Sequence, residues 1–375
     1  MHTRPVAVPL VTTSTQDRPL GQPLALDGSP LVMRGFDAPD DLEGLCQLFG
    51  EVFGQSMDQA MWRWKYMQAP HSQHYHAIAA HAATGQMLGH MGVIIVPGVR
   101  GSQAIRMAHA TDLMISPLAR TGLGPASVYR HIMHTVRARA LDVSADATPL
   151  FMYGFPGQRP ATLAMRLGIQ RRLQICTEYV AAPPPAQPSV PQSLWPRLRH
   201  WMGAMGTHRP LQLQAQRQPA EDADWSDAVL DSLWRIFVQK LAAQPLTHAR
   251  PQIAKTGAYL RWRYLHHPHQ NARPGEPLYT LWLLNRPRCD PQGWCITRQH
   301  PYPTVVDSCL PPGDDWTAAA LQALPAQTGS PWTSWLPHAG AQARATPIWA
   351  TAMQGSQFHD QWPSPAFQPG DTDVF

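Results

Sequence analysis

A nine-residue segment occurs twice, 198 positions apart, and it constrains the fold more than any other feature of the chain. Trp62-Arg63-Trp64-Lys65-Tyr66-Met67-Gln68-Ala69-Pro70 aligns with Leu260-Arg261-Trp262-Arg263-Tyr264-Leu265-His266-His267-Pro268. Arg, Trp, Tyr and Pro coincide in register, Lys65 is matched by a second basic residue, Arg263, and strand-like sequence follows each copy. One shared tryptophan would carry no weight. Two aromatics, an arginine and a proline in register imply duplicated units, and 375 residues leave room for two domains. The aromatic pair itself reads as a helix end packed on a sheet.

Hydrophobic spacing supplies the elements around each copy. Leu42, Leu45, Leu48, Phe49 and Val52 predict a helix over Asp40–Phe53, and Met61–Tyr66 a second helix that stops before Pro70. Strands are expected at 31–34, Tyr75–His81, Met87–Val96 (ended by Pro97-Gly98), Ala104–Ile115, Pro149–Phe155 and Gln174–Val180. Helices are expected from about Pro125 to Ala140 and at Ala161–Leu167. The second half offers helices at Val229–Leu241 and Trp316–Leu324, with strands at 278–284, 293–297, 304–309 and 347–352. The predicted class is therefore α+β, with mixed, mostly antiparallel sheets flanked by helices. Boundaries fall at a mobile arm (1–30), a first unit (31–182), a linker (183–222), a second unit (223–352) and a low-complexity tail (353–375). Six prolines between Ala182 and Pro196 make the linker stiff and extended. Leu194–Met205, with Trp195 and Trp201 beside Arg197 and Arg199, is expected to pack on one of the units.

Composition narrows the partners. A net charge of +5 and a pI near 9.1, with no run of like charges, do not indicate a dedicated nucleic-acid binder; a basic cleft for an anion is enough to explain them. Five cysteines, an odd number whose closest pair is C-x5-C, fit neither a disulfide framework nor a zinc ribbon. No apolar run reaches the roughly 18 residues of a membrane span, and the N-terminus lacks a cationic region before an apolar core. These features point to a soluble, cytoplasmic chain. His71, His74, His76 and His81, and later His266, His267 and His269, have ligand-like spacing without accompanying Cys or carboxylate, so no metal is assigned.

The most chemical stretch runs from Asp112 to Ala126. A strand stops at Pro117, a basic turn Arg120-Thr121-Gly122-Leu123-Gly124 follows, and Pro125 suits the first turn of a helix. Glycines let backbone N–H groups approach a ligand, and the helix dipole and Arg120 would add to them at one spot, an anion site suited to a pyrophosphate. Neither a Walker A loop nor a Rossmann fingerprint is present, because GK[ST] is missing and Ser127 stands where a third glycine belongs.

Arg120–Gly124 resembles the acyl-CoA pyrophosphate loop of the GNAT (Gcn5-related) N-acyltransferases, whose pattern is Q/R-x-x-G-x-G/A. Asp112-Leu113-Met114-Ile115-Ser116-Pro117 is similar to the preceding strand of one GNAT subgroup. Met152-Tyr153-Gly154-Phe155-Pro156 and Arg166-Leu167-Gly168-Ile169 are similar to its later strand and helix. The resemblance covers residues 31–182 and implies two GNAT-like domains and direct transfer of an acyl group from acyl-CoA, by default acetyl-CoA, to the amine of a small molecule or amino sugar held between the units. It implies that backbone at Arg120, Thr121, Gly122, Leu123, Gly124, Pro125 and Ala126 holds the diphosphate. Backbone at Leu113, Met114 and Ile115 would pair with the pantetheine arm and place an N–H near the thioester oxygen. Such a donor contributes on the order of 3 kcal/mol.

The departures are specific. Ala119 occupies the first Q/R position, Gly157 replaces an asparagine, and Ala164 stands where a thiolate-protonating tyrosine often falls. His109 and Asp112 are candidates for the base or a positioning group, and Tyr153 for the acid. His109 has the better intrinsic pKa, while Asp112 also fits a structural hydrogen-bonding role. In the second unit the counterpart of the glycine turn is Val306–Asp315, whose acids would repel a pyrophosphate, so that unit reads as a degenerate GNAT-like domain. Gly370-Asp371-Thr372-Asp373 resembles the tail motif of some tandem GNAT chains. Two alternatives stay open: a non-catalytic binding protein that keeps the fold, and a Fem-like aminoacyl transferase, a class that lacks the glycine turn.

Overall fold

The computed structural model describes residues 21–37, 40–70, 73–143, 148–181, 211–221, 225–243, 245–312, 314–325, 331–338, 340–355 and 362–372. Most of the expected arm (1–20), the proline-rich linker with Leu194–Met205, His71, and Asp373 of the tail motif lie outside these residues.

The first half runs β1 (Leu31–Arg34), α1 (Asp41–Phe53), α2 (Gln59–Met67), β2 (Gln73–His81), β3 (Met87–Arg100), β4 (Gln103–Ile115), α3 (Val128–Val143), β5 (Leu150–Gly154), α4 (Gln158–Arg166) and β6 (Gln170–Val180). The second half runs β7 (Gln214–Arg217), α5 (Asp227–Ala242), β8 (Gln252–Ile253), α6 (Gly257–Leu260, continued by a wider turn over Arg261–Leu265), β9 (Tyr279–Asn285), β10 (Gly293–Arg298), β11 (Thr304–Cys309), α7 (Asp314–Ala323), β12 (Thr333–Ser334) and β13 (Gln342–Met353). Helix α1 buries Leu42, Leu45 and Leu48, and Gly54 ends it at φ 68°, returning its N–H to Gly50. The Asp58 carboxylate caps α2 by accepting from the Met61 N–H at 2.7 Å.

One sheet joins the two halves, in the order β1-β2-β3-β4-β5-β13-β6-β12-β11-β10-β9-β7, with β8 paired to β3. From the left end inward, the pairings are antiparallel three times, then parallel (β4–β5), then antiparallel (β5–β13). From the right end inward they repeat that series, with β11–β12 as the parallel pair. The central pair, β13–β6, is antiparallel. Strand order and direction thus follow a pseudo-two-fold axis between β13 and β6, and the mixed, mostly antiparallel α+β architecture is as expected.

Three local differences have physical causes. The strand expected at 347–352 in the second unit spans Gln342–Met353 and inserts between β5 and β6, so a segment of the second half completes the first half of the sheet. Pro97 does not end β3. The Arg106 N–H donates to Pro149 at 2.8 Å, so Pro97 and Arg106 form a non-hydrogen-bonded pair, and the missing proline donor faces the side where β2 has already stopped. Residues 211–221, polar enough to read as linker, supply the edge strand β7.

Both chain ends also depart from expectation. Residues 21–30 are held against the glycine turn: Leu26 donates to Leu118 at 2.8 Å, Leu24 to Ala126 at 3.4 Å, and the Gly21 carbonyl lies 2.7 Å from His131 Nε2. In the tail, Phe367 and Asp371 are buried. One apolar cluster contains both Trp64 and Trp262, so the cores of the halves are continuous; a second lies under α3, built on Val128, Ile132, Met133 and Val136. Among the described residues, no helix is long and apolar enough to cross a membrane.

Candidate active site

The site is built where β4 parts from β5. Their parallel pairing covers Arg106–His109 against Leu150–Tyr153 and then ends. Among the described residues, Thr111–Ile115 pairs only with β3. Ser116 donates to Leu88 at 2.9 Å, and the alternation of an antiparallel ladder therefore turns the Ile115 N–H away from β3, toward the open side. A register shift opposite His90 and Gly92 marks a bulge in β4, and Asp112 sits in it at φ 50°.

The bulge is pinned from below. Lys65 Nζ lies 2.9 Å from Asp112 Oδ1 and the Tyr66 hydroxyl donates to Oδ2 at 2.7 Å. The Lys65 side chain is 0% exposed, which makes this a buried ion pair. The fit is close, because a Cβ on Gly92 would lie 2.2 Å from the Tyr66 hydroxyl. A chain of imidazoles meets the same bulge: His74 Nδ1 lies 3.3 Å from His76 Nε2, His76 Nδ1 2.9 Å from His90 Nε2, and His90 Nδ1 3.0 Å from the Asp112 carbonyl. Since a carbonyl can only accept, His90 carries its proton on Nδ1, and the same logic sets the Nδ1–H tautomer of His76 and His74. Burial lowers the His90 pKa to about 4 and depresses His76 and His74 as well. His74 and His76 are thus engaged with each other and with His90.

The second half repeats the pinning with different residues. The Tyr264 hydroxyl donates to Asp307 at 2.8 Å, matching Tyr66 and Asp112, but the cation is Lys255, which bonds Asp307 at 2.8 Å and Asp371 of the tail. Burial opposes charging Lys255, yet the two carboxylates outweigh it and hold its pKa above the ordinary lysine value. Asp307 therefore lies in a buried ion cluster and does not face a turn. Arg263, the counterpart of Lys65, instead donates through Nε to the Gly370 carbonyl at 3.1 Å. The chain contains three lysines, Lys65, Lys240 and Lys255, and two of them serve these equivalent pairs. That scarcity was the available sequence signal.

The predicted candidates fall in separate places. His109 stacks on Tyr153 (5.0 Å, 3°), with Phe155 edge-on at 5.5 Å. His109 and Tyr153 line a cavity of about 20 Å³, room for one water, that Trp262, Arg263 and Gly370 also line. Asp112 belongs to the pinned bulge. Leu113, Met114 and Ile115 continue along the open edge. Arg120, Thr121, Gly122, Leu123, Gly124, Pro125 and Ala126 form the turn, and α3 starts at Val128, three residues after Pro125. The turn is not plugged: a Cβ at Gly122 (φ 84°) or Gly124 would meet nothing within 4 Å. Thr121 Oγ1 is buried and has no hydrogen-bond partner among the described residues. Arg120 Nε donates to the Ile115 carbonyl at 3.1 Å. Ala119 and Ala164, at the departing positions, are buried. In the second half β11 ends at Cys309 and α7 begins at Asp314, which leaves no room for a comparable turn.

An open, mostly antiparallel sheet whose fourth and fifth strands part beside a glycine turn defines the architectural class. Solved structures identify it further: the chain has the fold of the GCN5-related N-acetyltransferases. It is similar to a conserved protein from Enterococcus faecalis V583 described as a probable N-acyltransferase, at TM-score 0.53 and 11% identity over 87% of this chain and 73% of that one. GCN5-related N-acetyltransferases from Kribbella flavida and Anabaena variabilis ATCC 29413 each superpose at TM-score 0.50 and 13% identity, covering 86% and 85% of this chain and 72% of theirs. No protein-family model and no curated protein matches the sequence.

Proposed function

We propose that the chain is a tandem acyltransferase whose first half binds acyl-CoA and passes the acyl group to the amine of a small molecule, with a second half that shapes the acceptor side. The observation that carries this reading is the unpaired edge of β4 leading into an unplugged glycine turn. The edge offers the Ile115 amide to an extended arm, as an added strand would use it. The turn offers the N–H groups of residues 121–124 and 126 to a diphosphate. Bound acyl-CoA supplies the activated thioester carbon.

The chain's own tasks are then modest. Holding amine and thioester in line supplies about 7–11 kcal/mol of the barrier. The ion pair of Lys65 and Asp112 fixes the bulge, so Asp112 is a positioning residue. His109, stacked on Tyr153 beside the one-water cavity, is the base that receives the amine proton, directly or through that water. A thiol leaving group, with a pKa near 8.5, needs little acid, and the buried Ala164 is consistent with a site without that tyrosine. Acetyl-CoA is the proposed donor, and the cytoplasm the proposed compartment. Calorimetric titration of the full chain with CoA and acetyl-CoA, followed by thiol-release assays over a panel of amines, tests the reading. Absence of CoA binding would overturn it.

A further inference from the structure

A turn with two glycines is costly to order, because glycine loses more backbone freedom on folding than any other residue. Side-chain packing does not hold these glycines, since a Cβ at Gly122 or Gly124 would meet nothing within 4 Å. The N-terminal arm supplies the restraint. The Leu26 N–H donates to the Leu118 carbonyl just before the turn, and the Leu24 N–H to the Ala126 carbonyl at its end. Between them Ala25 is buried in the cluster under α3 with Val128 and Ile132. Gly21 lies against the last two residues of the turn: a Cβ there would come within 3.8 Å of the Pro125 ring. The arm thus brackets the turn at both ends.

His131 ties that arm to α3. It is buried, with Nδ1 2.9 Å from the Ser127 carbonyl and Nε2 2.7 Å from the Gly21 carbonyl. A carbonyl oxygen only accepts, and a neutral imidazole donates from one nitrogen alone. Both bonds are met together only by the doubly protonated ring. The first turn of α3 then carries Arg130 and His131 and no acid. Cations at that end oppose the helix macrodipole, and an anion in the turn relieves the opposition. Around His131, α3 itself bears Arg130 and His134, the turn Arg120, and the arm Asp27. The face of β2 under α3 bears Tyr75, and His81 lies beside Asp27, while β1 and β3 add apolar side chains to that face. The arginines repel a second proton on the ring and Asp27 attracts it.

We propose that His131 is a positioning residue for the coenzyme: as an imidazolium it clasps residues 21–26 to the start of α3, and the clasped arm sets the glycine turn for an anion. Resting on the acyl-transfer reading, that anion is the CoA diphosphate; the clasp itself does not depend on it. A ring that loses a proton gives up one of its two bonds, so the clasp tightens as pH falls, the reverse of the direction set by buried His90. Proton and anion then favour each other's binding by the same factor.

Hydrogen exchange without ligand reads the clasp, so its failure is separable from failure of the transferase reading. Protection factors of the Leu24 and Leu26 amides cancel the intrinsic effect of pH on exchange, and should be at least fivefold higher at pH 6 than at pH 8.5. Global stability falls over the same interval through His90, so a rise in arm protection cannot come from it. His131→Gln offers Gly21 one donor without a charge and should flatten that pH dependence. His131→Phe offers none and should leave both amides at least tenfold less protected at pH 6. By calorimetry, the parent chain should bind CoA at least fivefold more tightly than His131→Phe at pH 6 and by less than twofold at pH 8.5. Titration of the CoA phosphate itself cancels in that ratio. Should His131→Phe fail to fold, the pH profile of His131→Gln decides alone. Arm protection independent of pH in the parent, a parent-like pH dependence in His131→Gln, or undiminished protection in folded His131→Phe would each overturn the clasp. Parent-like CoA affinity in a variant whose arm has lost protection would overturn the positioning role.

Discussion

Trp64 and Trp262 hydrogen-bond each other reciprocally: the indole N–H of Trp64 donates to the Trp262 carbonyl at 2.7 Å and that of Trp262 to the Trp64 carbonyl at 2.8 Å. Their rings stack at 5.5 Å and 27°. The sequence repeat thus meets itself on the axis that orders the sheet, and the junction of the halves is sealed by its own duplicated residue. Trp64→Phe or Trp262→Phe keeps most of the apolar area but removes one of these two buried hydrogen bonds. Each is expected to cost about 1–3 kcal/mol in urea unfolding, with similar values for the two sites. A large cost at one site and none at the other would contradict a symmetric seal.

The glycine turn has a clean test in Gly124→Glu. A Cβ there meets no neighbour, so the fold should survive, whereas a carboxylate in the turn should lower CoA affinity at least a hundredfold by calorimetry. Gly122→Glu should act alike, with an added backbone cost of about 1–2 kcal/mol because residue 122 is left-handed. Replacing Asp314 and Asp315 by Asn should leave CoA affinity unaltered; a large loss there would place the nucleotide in the other half.

Asp112 separates chemistry from architecture. Asp112→Asn strands the buried Lys65 charge and should cost about 3–5 kcal/mol of stability, measurable by chemical denaturation. The double variant Lys65→Met, Asp112→Leu removes both charges and should recover much of that loss. If Asp112→Asn unfolds at the parent's urea midpoint while turnover collapses, the carboxylate is a base and the positioning role is wrong.

Local pattern carried the sequence reading a long way, and its failures share one cause. Amphipathic spacing located α1, α3 and α5, and the Trp-Tyr-Pro repeat anticipated the duplication that the strand order displays. What the chain could not disclose locally was partnership. Nothing in residues 342–353 says that they pair with strands more than 160 residues earlier. Lys255 lies outside the repeat register, so its exchange of roles with Arg263 left no trace in the alignment. His74 and His76 are two residues apart and share a strand face, but His90 joins them only through the register of β2 against β3. The edge strand β7 is four residues long, Gln-Ala-Gln-Arg, with Ala215 its one apolar residue, too short a signal to separate it from the linker before it.

That imidazole chain makes stability depend on pH in a fixed direction. Burial holds His90 neutral in the native state down to about pH 4, with Lys65 reinforcing the shift and Asp112 and Asp41 opposing it, whereas an unfolded histidine takes up a proton near pH 6.5. Between those values the unfolded state binds more protons, so stability rises with pH across the window and is lost as pH falls through it. His90 alone accounts for on the order of 3 kcal/mol of loss between pH 7 and pH 4, and His76, also depressed by burial, adds in the same direction. Urea midpoints at pH 7.5, 6 and 5 should therefore decline steadily. His90→Leu, less stable at pH 7.5 for want of the bond to the Asp112 carbonyl, should show a flatter decline. Equal midpoints at pH 7.5 and 5 in the parent chain would mean that the histidines are charged in the folded state, and the Nδ1–H tautomers assigned from the Asp112 carbonyl outward would be wrong.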